Sequence, residues 1–149
     1  MVTAKEIMST DVVTLAPETE ILEAARALLE KGINGAPVVN DAGRVVGILC
    51  QSDLVAQQKR LPVPSLFTML GGYIPLSSSK QWEKEVRKIA ALTVADAMTP
   101  DPVTVSPETS LETIAALMVD KNFHTLPVVQ DGRLVGIIGK EDVLKTFLR

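Results

Sequence analysis

Two aspartates hold matching places in a sequence that repeats itself. Asp53 follows the run Val45 to Ser52, and Asp142 follows Leu134 to Glu141. A carboxylate can accept two hydrogen bonds from a cis-diol, and its charge strengthens both. Each aspartate also falls where a helix can begin, and a negative charge suits that end of a helix without any ligand. The one histidine, His124, lies three residues before Pro127, and Asn34 holds the same place before Pro37. Both side chains can donate a hydrogen bond, and an imidazole can also gain charge near its ordinary pKa of about 6.5. Thr125 and Gly35 follow them. Lys121 and Lys140 are the basic candidates near the second aspartate. Cys50, the one cysteine, reads as a small buried apolar residue.

Several chemistries are excluded by what these residues lack around them. One histidine and no Gly-x-Ser-x-Gly elbow leave no Ser/His/Asp set to argue. One cysteine and one histidine cannot make a zinc pattern, and no Gly-rich phosphate loop of the Walker type occurs. Catalysis is not expected, nor is a catalytic cofactor. The formal charge is −3, with no run of Lys or Arg, so a nucleic-acid partner is not expected either. A single cysteine excludes an internal disulfide framework and suggests a reducing compartment. The N-terminus lacks a signal-peptide layout. No apolar run nears the roughly 20 residues that cross a bilayer. A cytoplasmic protein without membrane contact is the expectation.

The elements that must position these groups come in two copies. Ala36-Pro37-Val38-Val39-Asn40-Asp41 returns as Leu126-Pro127-Val128-Val129-Gln130-Asp131, and Val13-Thr14-Leu15-Ala16-Pro17-Glu18-Thr19 as Val103-Thr104-Val105-Ser106-Pro107-Glu108-Thr109. The offset is 90 up to Asp41/Asp131 and 89 beyond Ala42, which has no partner; 20 of the 52 aligned pairs from Thr3/Thr93 to Val55/Leu144 are identical. Two copies of so small a unit are expected to share one core, with ligands at its seams.

Each copy reads as a short helix, a strand, a long helix, a two-strand hairpin and a last helix. The long helix spans about Glu20 to Lys31, with Ile21, Ala24, Ala25, Leu28 and Leu29 on one face. Leu111, Ile114, Ala115 and Met118 repeat that stripe. Thr19 and Thr109 are the expected N-caps, with a capping box in Thr109-Ser110-Leu111-Glu112. Strands are expected over Ala36–Asn40, Val45–Leu49 and Leu134–Ile138, turning at Asp41-Ala42-Gly43 and Asp131-Gly132. Ser52 is expected to cap the helix after Cys50. The division is 1–57 for the first repeat, 58–91 for a connector, and 92–149 for the second repeat. The connector holds an apolar stretch, Val63 to Ile74. A charged helix is expected from Lys80 to Ala91, with Trp82, Val86 and Ile89 on a stripe behind Ser77-Ser78-Ser79. It packs on its own domain or on a second subunit.

In this order, the elements resemble a tandem pair of CBS domains, the Bateman module. The match rests on Met8 and Met98, on the two Pro-Val-Val runs, on Gly47-Ile48 with Asp53, and on Gly136-Ile137 with Asp142; it covers about 110 of the 149 residues. The resemblance implies an α/β (α+β) fold of two β-α-β-β-α repeats packed with pseudo-two-fold symmetry. It implies clefts for AMP, ADP, ATP or S-adenosylmethionine, a homodimer, and regulation of a partner protein on another chain. A ligand-free module that only dimerises is the alternative.

Carried over residue by residue, the resemblance makes Asp53 and Asp142 ribose ligands. It sets His124 with Thr125, or Asn34 with Gly35, near the phosphate. It sets Ala16 and Ala36, or Ser106 and Leu126, against the adenine, with backbone ahead of Pro37 and Pro127 reading its edge. Thr14, Thr104 and Lys140 complete the candidates. Some relatives carry arginine at the phosphate end and a hydroxyl where Cys50 and Gly139 stand here, so strong polyphosphate binding is in doubt. Of the two clefts, the one pairing Asp53 with His124 is the expected site.

Overall fold

The computed structural model describes residues 1–60 and 92–148, and the expectations for the apolar stretch and the charged helix of the connector lie outside them. The first repeat runs α1 (Ala4–Ile7), α2 (Ile21–Lys31), β1 (Gly35–Val39), β2 (Val45–Cys50) and α3 (Gln51–Arg60). The second runs α4 (Val94–Ala97), β3 (Thr99–Pro100), α5 (Leu111–Asp120), β4 (Thr125–Gln130), β5 (Arg133–Gly139) and α6 (Lys140–Leu144), then a 3-10 turn over Lys145–Leu148. The mixed helix-and-strand fold expected from the repeat is the one observed. α3 runs to Arg60, three residues past the expected boundary at 57.

Both hairpins are antiparallel and share one register: Gly35↔Cys50 and Val38↔Gly47 in the first, Thr125↔Gly139 and Val128↔Gly136 in the second. The unpaired Ala42 is absorbed at the turn. In the second hairpin Gln130 pairs directly with Arg133, and Asp131 and Gly132 both take positive φ, at 54° and 80°. That is the two-residue turn which Asp-Gly favours. In the first, only Gly43 has positive φ, and Asn40 Oδ1 accepts the N–H groups of Ala42 and Arg44 at 3.0 Å each. The extra residue lengthens the loop and leaves both ladders in phase.

The expected strand before each long helix shrinks to one residue. Leu15 donates to the Pro37 carbonyl at 3.0 Å and accepts from Val39 N–H at 2.9 Å; Val105 does the same with Pro127 and Val129 at 3.0 and 2.8 Å. The N-caps also differ from expectation. α2 is preceded by Glu20, without a side-chain cap. Ser110, not Thr109, caps α5 by accepting Thr113 N–H at 3.2 Å. Thr109 instead turns back, its hydroxyl accepting Ser106 N–H.

The carbonyls of Thr19 and Thr109 have another use. Thr109 C=O accepts Ala4 N–H and Pro107 C=O accepts Lys5 N–H, while Thr19 and Pro17 accept Val94 and Ala95 N–H. Each short helix therefore has its first two N-terminal donors satisfied by the opposite repeat. The exchange extends into the cores. Val94 and Ala97 pack with Ile21, Ala24, Leu28, Val38 and Leu49 of the first repeat. Ala4 and Ile7 pack with Ile114, Met118, Leu126, Val128 and Ile138 of the second. The repeats are interlocked rather than merely apposed.

The two methionines after these helices explain two glycines. A Cβ on Gly47 would meet the Met98 thioether and lie 3.0 Å from the Thr99 carbonyl; one on Gly136 would meet Met8 and lie 3.1 Å from the Ser9 carbonyl. Only glycine admits this close approach. β3 pairs with β2 through Ile48↔Thr99, and Ser9 bridges Ile137 in the same sense. The exchanged segment thereby carries the chain across each seam.

Candidate functional site

A cleft of about 300 Å³ opens where four segments meet. Ser9, Asp11, Val12 and Val13 come from the exchanged segment after α1, and Gly32 to Gly35 link α2 to β1. His124 and Thr125 open β4; Ile137 and Gly139 to Asp142 end β5 and begin α6. Two segments belong to each repeat, so neither repeat alone could form it. The volume is at the small end for ligand sites.

Local rules aim these segments. Gly32 ends α2 in the left-handed region at φ 62°, its N–H reaching back to Leu28 and Leu29 carbonyls, which throws Ile33–Gly35 toward the seam. The Asn34 carbonyl accepts Gln51 N–H at 2.8 Å and the Ile33 carbonyl accepts the Gln51 side-chain amide at 3.0 Å. This fixes the Asn34 loop to the start of α3.

Asp53 and Asp142 are each the third residue of a short-range helix start. Asp53 Oδ2 accepts Cys50 N–H and Asp142 Oδ2 accepts Gly139 N–H, both at 2.7 Å. That is the reaching-back half of a capping box, so Ser52 is not the cap. What remains differs. Asp53 Oδ1 accepts the Thr99 hydroxyl at 3.2 Å. Among the described residues no such donor reaches Asp142 Oδ1; the counterpart of Thr99 is Ser9, which lines the same cleft. Asp142 thus keeps one oxygen, and the second lone pair of the other, for an incoming hydroxyl pair.

Beside Asp53 stands Cys50. Gly35 brings its backbone so close to Cys50 that a Cβ would lie 2.9 Å from Sγ. Burial, and then the Asp53 charge, push the Cys50 thiol up to about 11. At the equivalent place in the Asp142 corner stands Gly139, where a Cβ would meet nothing nearer than 3.8 Å.

Six of the fifteen expected residues meet in this cleft: Asn34, Gly35, His124, Thr125, Lys140 and Asp142. Asn34 and Gly35 accompany Asp142 as expected, but His124 and Thr125 are here as well, beside Asp142 rather than reserved for Asp53. Ala36 and Leu126 are core side chains, 0% and 1% exposed, and Pro37 and Pro127 are fully buried. Ala36 and Leu126 belong to the two cores, so any contact of these residues with an adenine would be through their backbone. The carbonyls of Pro37 and Pro127 are taken by Leu15 and Val105. Thr14, Ala16, Thr104 and Ser106 are exposed and do not line this cleft. Sequence reasoning missed Ser9, Asp11, Val12, Val13 and Glu141. The identities Asp11/Asp101 and Val13/Val103 were the available signal.

Among the described residues no cluster of three or more His, Cys, Asp or Glu could hold a metal, and no helix is long and apolar enough to cross a membrane. The cleft is a two-repeat pocket lined by three carboxylates, an ammonium, an imidazole and an amide.

This is the architecture of a CBS-domain pair. The CBS domain family matches residues 4–60 and 94–149, and the chain belongs to that family. It is 33% identical over 138 residues to the chloroplastic CBS domain-containing protein CBSX2 of Arabidopsis thaliana, covering 89% of this chain and 57% of that one. It is 28% identical to the uncharacterized protein MJ1426 of Methanocaldococcus jannaschii, over 97% of this chain and 90% of that one. The chain thus spans little more than half of the plant relative. Among solved structures it resembles CBSX2 in complex with AMP, with a TM-score of 0.76 and 29% identity over 99% of this chain and 97% of that one. It also resembles the CBS domain pair of protein MJ0100 in complex with 5′-methylthioadenosine and S-adenosyl-L-methionine, with a TM-score of 0.72 and 25% identity over 99% and 96%.

Proposed function

We propose that the chain is a regulatory sensor module that binds an adenosyl compound in the cleft at Asp142 and passes its occupancy to a partner protein. The observation that carries this reading is the cleft itself: both repeats build it, and among the described residues Asp142 Oδ1 has no donor while Asp53 Oδ1 is engaged. In this reading Asp142 takes the ribose hydroxyls, and His124, Thr125 and Asn34 supply donors for the rest of the ligand. Relatives solved with AMP or with S-adenosyl-L-methionine support the ligand class. The signal would travel through the exchanged segment, because Ser9 to Val13 line the cleft and Met8, just before them, is wedged on Gly136.

Thermal unfolding with adenosine, AMP, ATP, 5′-methylthioadenosine and S-adenosylmethionine tests the reading. A ligand at 100 times its Kd adds about 2.7 kcal/mol, which raises Tm by several degrees at this size. Asp142→Asn should abolish the rise. No shift with any of the five compounds would refute the sensor reading.

A homodimer belongs to the same proposal. Val119, Leu144, Phe147 and Leu148 are 59–87% exposed on the second repeat, an apolar surface of the kind that a partner covers. Sedimentation that shows only a 16.0 kDa species at high micromolar concentration would refute the dimer.

A further inference from the structure

The charges around the cleft bear on which adenosyl compound it accepts. Its lining carries three carboxylates, Asp11, Glu141 and Asp142, against one ammonium, Lys140, and one imidazole, His124. Among the described residues no guanidinium lines it, so a phosphate would find there no planar fork to bind it bidentately. Lys140 is not committed to the cleft. It also lines a second, apolar groove with Met118, Val119 and Val143, between α5 and α6. With Asp142 assigned to the ribose, the charged groups left for the rest of the ligand are two carboxylates against one ammonium and the imidazole.

We infer that this cleft selects adenosyl ligands whose 5′ substituent is neutral or cationic, a thioether or a sulfonium, over those carrying phosphate. The inference rests on the adenosyl reading of the same cleft. Asp11 and Glu141 are exposed, so water and salt temper their effect, and each contributes a factor of about five rather than thousands. Both act in the same direction. A phosphate dianion is disfavoured by the pair, a sulfonium is favoured, and a thioether is left indifferent.

Titration calorimetry on the full chain, without magnesium and at low and moderate salt, tests it with four probes: 5′-methylthioadenosine, S-adenosylmethionine, AMP and ATP. Methylthioadenosine and AMP differ only at the 5′ substituent, so their ratio isolates its charge. At low salt methylthioadenosine and S-adenosylmethionine should bind at least about tenfold more tightly than AMP, with ATP weaker still. Added salt should narrow the gap. In the double variant Asp11→Asn, Glu141→Gln the affinity of AMP relative to methylthioadenosine should rise about tenfold. AMP or ATP binding as tightly as methylthioadenosine, with Asp142→Asn abolishing that binding, would overturn the selectivity and leave the adenosyl site standing. Failure of all four to bind would overturn both.

Discussion

Asp53 and Asp142 each stand third in a helix and each accept the N–H of the residue just before it, at the same 2.7 Å. Beyond that shared bond the two corners part. Around Asp53 both oxygens are engaged: Thr99 reaches across from the other repeat to the second one, and Cys50 packs beside Gly35. Around Asp142 the corresponding residues are Ser9 and Gly139, one carbon and one side chain smaller, and about 300 Å³ opens. Two small truncations accompany the change from an aspartate with both oxygens engaged to one that, among the described residues, has an oxygen to spare. Near-identical repeats can therefore keep one architecture and still divide its roles, one aspartate tied across its seam and the other left available to a ligand.

The comparison presumes that the halves are otherwise equal, and the largest effect tests that. Leu28 and Ile114 are both 0% exposed, at the centres of the two cores. Leu28→Ala and Ile114→Ala should each cost about 2–5 kcal/mol. Because each core includes the other repeat's short helix, each variant should still unfold in a single transition by calorimetry. Two separated transitions in either variant would break the interlocked picture.

That interlocking was the least legible part of the fold. Both hairpins, both long helices and the pairing of Pro37 with Pro127 are written in local periodicity and in the repeat itself. The exchange of α1 and α4 is not, because a four-residue helix carries no amphipathic stripe to say which core it enters. Met8 and Met98 did mark the spot, as did Gly47 and Gly136, but their mutual contact is a long-range fact that spacing alone does not express. The site divided in the same way. Asp142, Asn34, Gly35, His124, Thr125 and Lys140 follow from motif position. Asp11, Val12 and Val13 lie in a segment whose destination depends on the exchange. The side chains of Ala36 and Leu126 are taken by the cores, because an apolar residue at a strand start satisfies a core as readily as a pocket.

The next effect separates the two aspartates by stability without any ligand. Asp53→Ala loses the helix-start bond and the Thr99 hydroxyl, and should cost about 1–2 kcal/mol. Asp142→Ala loses only the bond to Gly139 N–H and should cost about 0.5–1 kcal/mol. Denaturant unfolding measures both. Thr99→Val should remove most of the difference, since it deletes the one bond that Asp142 lacks. An equal cost for the two alanine variants would mean that the Thr99 contact contributes nothing, and the closed corner would lose its lock.

The smallest effect is on thiol chemistry. The Cys50 thiol is held up at about 11 from an ordinary 9.0, first by burial and then by the Asp53 charge. Its folded-state pKa is raised, so the associated stability is present below pH 9.0 and drains away as pH climbs toward about 11. A disulfide reagent should therefore react slowly with Cys50 near pH 8, because little thiolate is present. Asp53→Asn should quicken the reaction only a few-fold, since the charge is the lesser cause. The open corner offers the control. Gly139 has φ −105° and room for a Cβ, so Gly139→Cys on a Cys50→Ser background places a thiol beside Asp142 at no cost in packing. It should react at least about tenfold faster than Cys50 at the same pH, and an adenosyl ligand should protect it. Equal rates for the two thiols would mean that the corners are equally open, and the division of labour between the repeats would have to be argued from something other than access.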